Sequence, residues 1–414
     1  MTDVRRAGVY FGLLAVVGGF ADPNGGLVQV PLLYLLRDGL GRGPEWVAWF
    51  GAAIAVPGHL GFLFGAFRDR WRPARFGDRA HFLFVAAAAA CGYVWLASAP
   101  ASLMRLAAGA VVIAVAFQMF DASASALLTT VAQRHLASGR LSAVVEMADS
   151  LVSVAAMLAG GWLAGHASAQ TTFAVAAAVA ALIAVFGVWA PPEVFPPDPA
   201  PTRAPRETLG LTSLLHTRGF AAVLAILLLY SFSPGWGTPF FFYLTAKLSI
   251  SSEAFGACRA ITFAAMAAAT ALYGVLCTRL PLKTLLWSAM LVNVLPGFLF
   301  LFVTSVPFAL ATAALGGLCS GFGTIALLDL LTRACPPALE GTASMLGVSA
   351  LGLAWTIGDL LGARIYQQGG FTLCIVIDAV ATVAIMPLLL KLPSTLIAYA
   401  DGVRSDGPHV EGCQ

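Results

Sequence analysis

The sequence reads as an all-α polytopic membrane protein: twelve transmembrane helices in two pseudo-symmetric six-helix bundles. Three observations predict this class. The 414 residues are 59% apolar and only 10% charged, with a mean hydropathy of +0.86, whereas a soluble domain carries about 25% charge. The apolar residues gather into twelve stretches, each as long as a bilayer needs, roughly 17–25 residues. The loops between those stretches alternate in positive charge.

Between charged and turn-rich breaks the stretches fall near 9–36, 46–67, 81–97, 102–130, 141–165 and 170–190. A second set falls near 217–244, 253–277, 281–303, 307–332, 342–364 and 370–391. Backbone polar groups cannot stay unpaired in hydrocarbon, so spans of this length must be helices.

An even span count with the N-terminus inside sorts 17 of the 23 Lys and Arg to the cytoplasmic side. Only Arg37, Arg42, Lys247 and Arg364 fall outside, and Arg105 and Arg259 sit within spans or at their edges. Cytoplasmic loops hold excess Lys and Arg, so both termini are expected in the cytoplasm and the protein in the cell (inner) membrane. The basic residues lie in short inside loops, so the net charge of +3 carries no sign of nucleic-acid binding. No cleavable signal peptide is expected, because the first apolar stretch is too long and lacks a clear small-residue cleavage site.

The seven cysteines (Cys91, Cys258, Cys277, Cys319, Cys335, Cys374 and Cys413) mostly fall in spans and form no CxxC pair. They read as small packing residues rather than a metal or disulfide framework. Neither a cofactor nor a metal is expected. No HExxH, GxSxG or DxxxD pattern appears, which argues against a membrane-embedded enzyme. No GxxxxGK[ST] loop appears either, so ATP is not the direct energy source within this sequence.

A proline-rich break, Pro191-Pro192-Glu193-Val194-Phe195-Pro196-Pro197-Asp198-Pro199-Ala200-Pro201, separates six spans from six. Proline makes such a tether semi-rigid and extended. The expected organisation is a bundle at 1–190, a cytoplasmic linker at 191–216, a bundle at 217–392 and a cytoplasmic tail at 393–414. One fixed offset of 209 residues pairs Tyr34 with Tyr243, Gly65 with Gly274 and Arg70 with Arg279, as a duplication would.

Spans one and seven are both interrupted. The first break is Asp22-Pro23-Asn24-Gly25-Gly26, followed by Pro31; the second runs from Ser231 through Ser233, Pro234, Gly235 and Trp236 to Pro239. Proline removes a backbone donor and clashes with the preceding turn. Irregular backbone at membrane depth is tolerated only inside protein or along a wet cavity. Paired interruptions therefore point to a midplane binding site. The alternative is a pair of lipid-facing kinks; Asp22 and Asn24 beside the first break weigh against it, since a lipid-exposed charge is costly.

Ionisable residues inside spans are functional candidates by default. Asp22, Asn24, Gln29, Gln118, Asp121, Ser233, Trp236 and Asp329 are the expected solute contacts. Asp22, Asp121, Glu146 and Asp149 are the expected proton-coupling groups, Glu146 and Asp149 sharing one helix face at i, i+3. Each has a plainer reading: Glu146 as a gate reaching the basic loop at 134–140, Asp329 as an i, i+4 ion pair with Arg333, Asp378 as a packing or hydrogen-bonding residue. Trp236 reads equally as a stacking platform and as a packed ring.

The loop between spans two and three carries Gly65-Ala66-Phe67-Arg68-Asp69-Arg70-Trp71 and then Gly77-Asp78-Arg79. It resembles the loop signature of the major facilitator superfamily, with an insertion at Pro73-Ala74-Arg75-Phe76. The resemblance implies the major facilitator fold and a gate made by Gly65, Arg68, Asp69 and Arg70, with Asp69 latching the inside ends of the halves. The second half narrows the likeness. Phe232 to Leu244, Ala271-Leu272-Tyr273-Gly274, Leu280-Pro281-Leu282-Lys283 and Ala334 to Thr342, with Gly358, Gly362 and Ala363, resemble the folate–biopterin transporter family. The family's Gly-Asp-Leu-Gln-Ser run before span five is replaced here by Ser138-Gly139-Arg140-Leu141-Ser142.

The expected function is secondary active transport of a small organic solute by alternating access. Coupling would run through protons, the resemblance implies a folate or pterin solute, and the protein would act as a monomer in the bilayer. The alternative on the same scaffold is a non-transporting assembly factor or a pigment or lipid carrier.

Overall fold

The computed structural model describes residues 2–23, 26–41, 50, 54–71, 77–195, 219–236, 239–240, 243–244, 252–336 and 339–402. Among these residues the regular structure is helical throughout, without strands. The first half holds α1 (Thr2–Ala21), α2 (Gln29–Tyr34, continuing into a π-turn at Leu35–Gly39), α3 (Gly61–Arg70), α4 (Arg79–Ala97), α5 (Leu103–Arg134), α6 (Ser138–His166) and α7 (Ala169–Val188). The second half holds α8 (Phe220–Ser231), α9 (Ser252–Leu276), α10 (Leu282–Asn293), α11 (Leu295–Leu301), α12 (Val306–Ala334), α13 (Glu340–Leu389) and α14 (Ser394–Ile397).

Ten helices among the described residues are long and apolar enough to cross a membrane. The other two expected spans are represented by α3 and by α8, which its break cuts short. α13 covers two spans, and the chain turns between them at Gly370, whose φ of 69° suits a residue without a Cβ. Local signals set the other ends. Ser168 accepts from the Thr171 amide at 3.1 Å to cap α7, and Pro307 opens α12 where an amide donor is dispensable. The ninth span, expected as one helix, is interrupted: α10 stops at Asn293 and α11 restarts with Pro296 in its first turn.

The buried cores divide by half. One groups Tyr10, Phe82, Tyr93, Ile113, Phe173 and Ile183; two others group Phe220, Met290 and Ile325, and Phe240, Phe300 and Phe371. Large side chains such as Met104 (81% exposed), Leu158 (72%) and Phe302 (71%) point outward, as lipid-facing residues do.

Contacts between halves follow the repeat. Gly65 on α3 lies so close to α13 that a Cβ would sit 2.2 Å from the Gly341 carbonyl oxygen. Its counterpart at the offset of 209, Gly274 on α9, lies against Ala143 of α6. Small residues let helix backbones approach where lipid offers no hydrophobic drive. Of the expected tail at 393–414, the described residues up to 402 pack against the bundles: Ile397 is buried, and Asp401 is 6% exposed and bonded to the first half.

Candidate functional site

The first half contains a cavity of about 330 Å³ beside the break after α1. Asp22 from the break, Asp121 from α5 and Asp149 from α6 line it together with Ser125 and Ser153. Among the described residues no Lys, Arg or His lines it. The described residues around the break bond internally. The Tyr93 hydroxyl donates to the Ala21 carbonyl at 2.8 Å, the Leu27 amide to Phe20 at 3.0 Å, and the Gly26 amide to Asp22 at 2.9 Å. These bonds satisfy the described part of the opened backbone away from lipid, and the break sets a carboxylate on the cavity wall.

The second half contains a cavity of about 360 Å³ beside the break after α8. Its wall includes Ser233, Trp236, Phe240, Arg259, Asn293 and Trp355. The broken segment is anchored to α13. Ser231 Oγ donates to the Leu351 carbonyl at 2.6 Å, Ser233 Oγ to Asp378 Oδ1 at 2.7 Å, and Trp236 Nε1 to Asp378 Oδ2 at 3.1 Å. Gly362 makes the approach possible, since a Cβ there would lie 2.1 Å from the Pro234 carbonyl oxygen. Asp378 is therefore a hydrogen-bonding anchor, and Trp236 both packs and lines a cavity.

The halves are fastened at the end that bears the termini. Asp69, following Arg68 near the end of α3, accepts from the Gly341 amide at 3.1 Å, the Thr342 amide at 2.7 Å and Thr342 Oγ1 at 2.7 Å. It thereby caps the N-terminus of α13, where free amides and the helix dipole favour an anion. Arg68, fully buried, bridges Asp69 (3.1 Å) and Asp78 (2.7 Å) and holds the cap in place.

The reverse arrangement closes the other side. Asp401, from the segment after α14, accepts from the Gly139 amide at 3.3 Å, the Arg140 amide at 3.2 Å and Arg140 Nε at 2.9 Å, at the N-terminus of α6. Beside it Asp329 accepts from Ser138 at 2.5 Å, Tyr273 at 2.7 Å and Arg333 Nε at 2.8 Å. Arg333 in turn donates to the Tyr399 carbonyl at 2.9 Å. Burial first, and then the Asp329 charge, push the Asp401 carboxyl above the ordinary range, while its bond to Arg140 pulls it back. Gln133 adds bonds to the Thr332 and Cys335 carbonyls at 2.7 and 2.9 Å.

The expected site residues thus separate into groups. Asp22, Asp121 and Asp149 come together, and Ser233 and Trp236 line the second cavity. Glu146, one turn before Asp149, lines neither. Gln118 is buried against Gly58 and Gly61. Gln29 opens α2 with its side-chain oxygen buried and unpaired. Asn24, and the insertion at 73–76, lie outside the described residues. Asp329 lines neither cavity; it is the i, i+4 ion pair, built into the fastening between halves. Gly65, Arg68 and Asp69 belong to the fastened end, whereas Arg70 is exposed and contributes no bond there. Arg259 and Asp401 were not foreseen. Arg259 had a signal, a cation inside an apolar span; Asp401 had none, because it lies 261 residues from its partner Arg140.

Comparison with known proteins agrees with this architecture. A family model described as Major Facilitator Superfamily matches residues 15–247. Among solved structures, the human organic anion transporter MFSD10 (TETRAN) superposes with a TM-score of 0.69 at 19% identity, covering 92% of this chain and 99% of its own. A bacterial homologue of the iron transporter ferroportin, in an outward-facing state, superposes with a TM-score of 0.68 at 16% identity, covering 93% and 98%. No curated protein matches the sequence. These matches lend the folate–biopterin resemblance no support. With more than half of its length matched by the family model and this helical architecture, the chain belongs to the Major Facilitator Superfamily and is a membrane transporter rather than an enzyme.

Proposed function

We propose that the protein is a secondary active transporter that moves a small organic solute by alternating access, with the carboxylates of the first-half cavity coupling that movement to protons. The observation that carries this reading is the set Asp22, Asp121 and Asp149 around one cavity whose lining, among the described residues, has no basic side chain. Crowded carboxylates cannot all ionise cheaply away from water, so they exchange protons or bind cationic groups. Among the described residues no group of three or more His, Cys, Asp or Glu is placed to hold a metal ion. That favours protons or an organic group over a metal at this wall.

On this reading the two bundles, divided by the linker at 191–216, rock about the paired cavities. With both termini cytoplasmic, as the distribution of Lys and Arg supports, the fastened end is the inside gate and the state described is outward-facing. The names of the two structural neighbours, an organic anion transporter and an iron transporter homologue, span two solute classes. The residues favour the organic one.

A thermal-shift screen of the purified protein against organic anions, organic cations, amino acids and pterins across pH would identify a stabilising compound. Counterflow of that compound in proteoliposomes then tests transport. A compound that stabilises the protein but never exchanges across the bilayer would refute the transport reading. Exchange that ignores pH would remove the proton from it.

A further inference from the structure

The second-half cavity differs in chemistry from the first. Among the described residues Arg259 on α9 is the one basic side chain on its wall, and no Asp or Glu lines it. Arg259 makes no ion pair among the described residues; its charged group lies over the Phe263 ring, 5.3 Å from the centroid. The rest of the wall is rich in flat rings. Trp236 stands 5.4 Å from Phe240 and 5.3 Å edge-on from Phe300, with Trp355 contributed from α13. Trp236 cannot swing freely, because its indole nitrogen is bonded to Asp378. Asn293, Ser320 and Thr324 supply neutral polar groups.

We infer that this cavity is a binding subsite for an organic anion with a flat, apolar body, an aromatic carboxylate being the simplest case, with Arg259 meeting the charge and the Trp236–Trp355 side of the wall holding the ring. This deepens the transport reading and rests on it for the solute's passage, though not for its binding. Arg259 is exposed and has no anionic partner among the described residues, so its charge is open to that of a ligand. The planar guanidinium matches a carboxylate in a two-pronged bond, and stacking on Phe263 orients it. A wall already fixed by hydrogen bonds and ring packing loses little freedom when a ligand settles against it. The opposite sign of charge in the first-half cavity leaves protons to that side and the anion to this one.

The test uses the full-length protein in nanodiscs and three probes of equal shape: 2-naphthoate, the uncharged 2-naphthamide and the cationic 2-(aminomethyl)naphthalene. Binding is read by quenching of tryptophan fluorescence. Naphthoate is expected to bind about tenfold or more tightly than the amide, as a charge-assisted bond allows, and the cation most weakly. Arg259→Gln should abolish the preference for naphthoate over the amide, and Arg259→Lys should keep part of it. Trp355→Ala should weaken naphthoate and naphthamide alike.

Equal binding of the three probes to the wild-type protein would overturn the inference, and that comparison holds even if a variant fails to fold. A preference for naphthoate that survives Arg259→Gln would overturn it too. If naphthoate fails to bind while another compound shows counterflow, the subsite is refuted and the transport reading stands. If naphthoate binds with the expected pattern but no compound exchanges, the subsite stands and the transport reading falls.

Discussion

Asp121 and Glu193 show how much the setting of a carboxylate decides. Asp121 faces a cavity shared with Asp22 and Asp149, where neutralising it should matter for coupling more than for folding. Asp121→Asn is expected to make counterflow of a stabilising compound independent of pH while exchange itself continues. A pH dependence as steep as that of the wild-type protein would take Asp121 out of the coupling role. Glu193 lies at the opposite extreme, at the membrane edge after α7, where Arg6 donates to it at 2.8 Å. That bond, first among the causes, holds its carboxyl below the ordinary range. A carboxyl lowered in the folded state adds stability above its unfolded pKa and loses it as pH falls through the folded value. The melting temperature of Glu193→Gln should therefore lie slightly below that of the wild-type protein at neutral pH. The two should converge below about pH 4, near the ordinary Glu value. A gap that persists in acid would show that the ion pair is not its source.

At the scale of elements, the helices were legible because each is an uninterrupted apolar run between charged or turn-rich loops, and the two working breaks were legible because proline and glycine mark them. The break between α10 and α11 carried the same signal in Pro296-Gly297 with Asn293 beside it, yet no ionisable residue there drew attention. What could not be read was facing. Nothing in the order of residues tells which side of α9 presents Arg259, or that Glu146 misses the cavity Asp149 lines, because a single helix turn separates them. Gly358 and Gly362 were visible only as part of a resemblance, and the structure supplies their cause: they admit the broken segment after α8. Gly362→Ala should force that segment away and cost about 1–3 kcal/mol by overpacking. Gly161→Ala, where a Cβ meets nothing within 4 Å, should cost far less. Thermal unfolding of the two variants side by side checks this, and equal losses would deny Gly362 its role.

At the scale of the whole molecule, the two fastenings are one device used twice. A carboxylate from each half, Asp69 or Asp401, is seated on the helix N-terminus of the other half, α13 or α6. On the alternating-access reading proposed above, such bonds form only while this end is closed, so each favours the closed state over the open one. Charge-assisted bonds to a helix N-terminus are worth roughly 1–3 kcal/mol, which shifts a two-state population about tenfold for each 1.4 kcal/mol. Asp69→Asn and Asp401→Asn should each raise the fraction open at this end, and because both act on one equilibrium at separate places, the double variant should show the sum of the two energies. Spin labels at the exposed positions 70 and 279, the pair related by the repeat, report the opening as a longer distance once the exposed Cys91, and Cys413 near the end of the sequence, are replaced by Ser. If the distance distribution stays that of the wild-type protein in both single variants, the carboxylate caps are incidental to closure, and the gate must be sought in the packing of α3 on α13 and α6 on α9 instead.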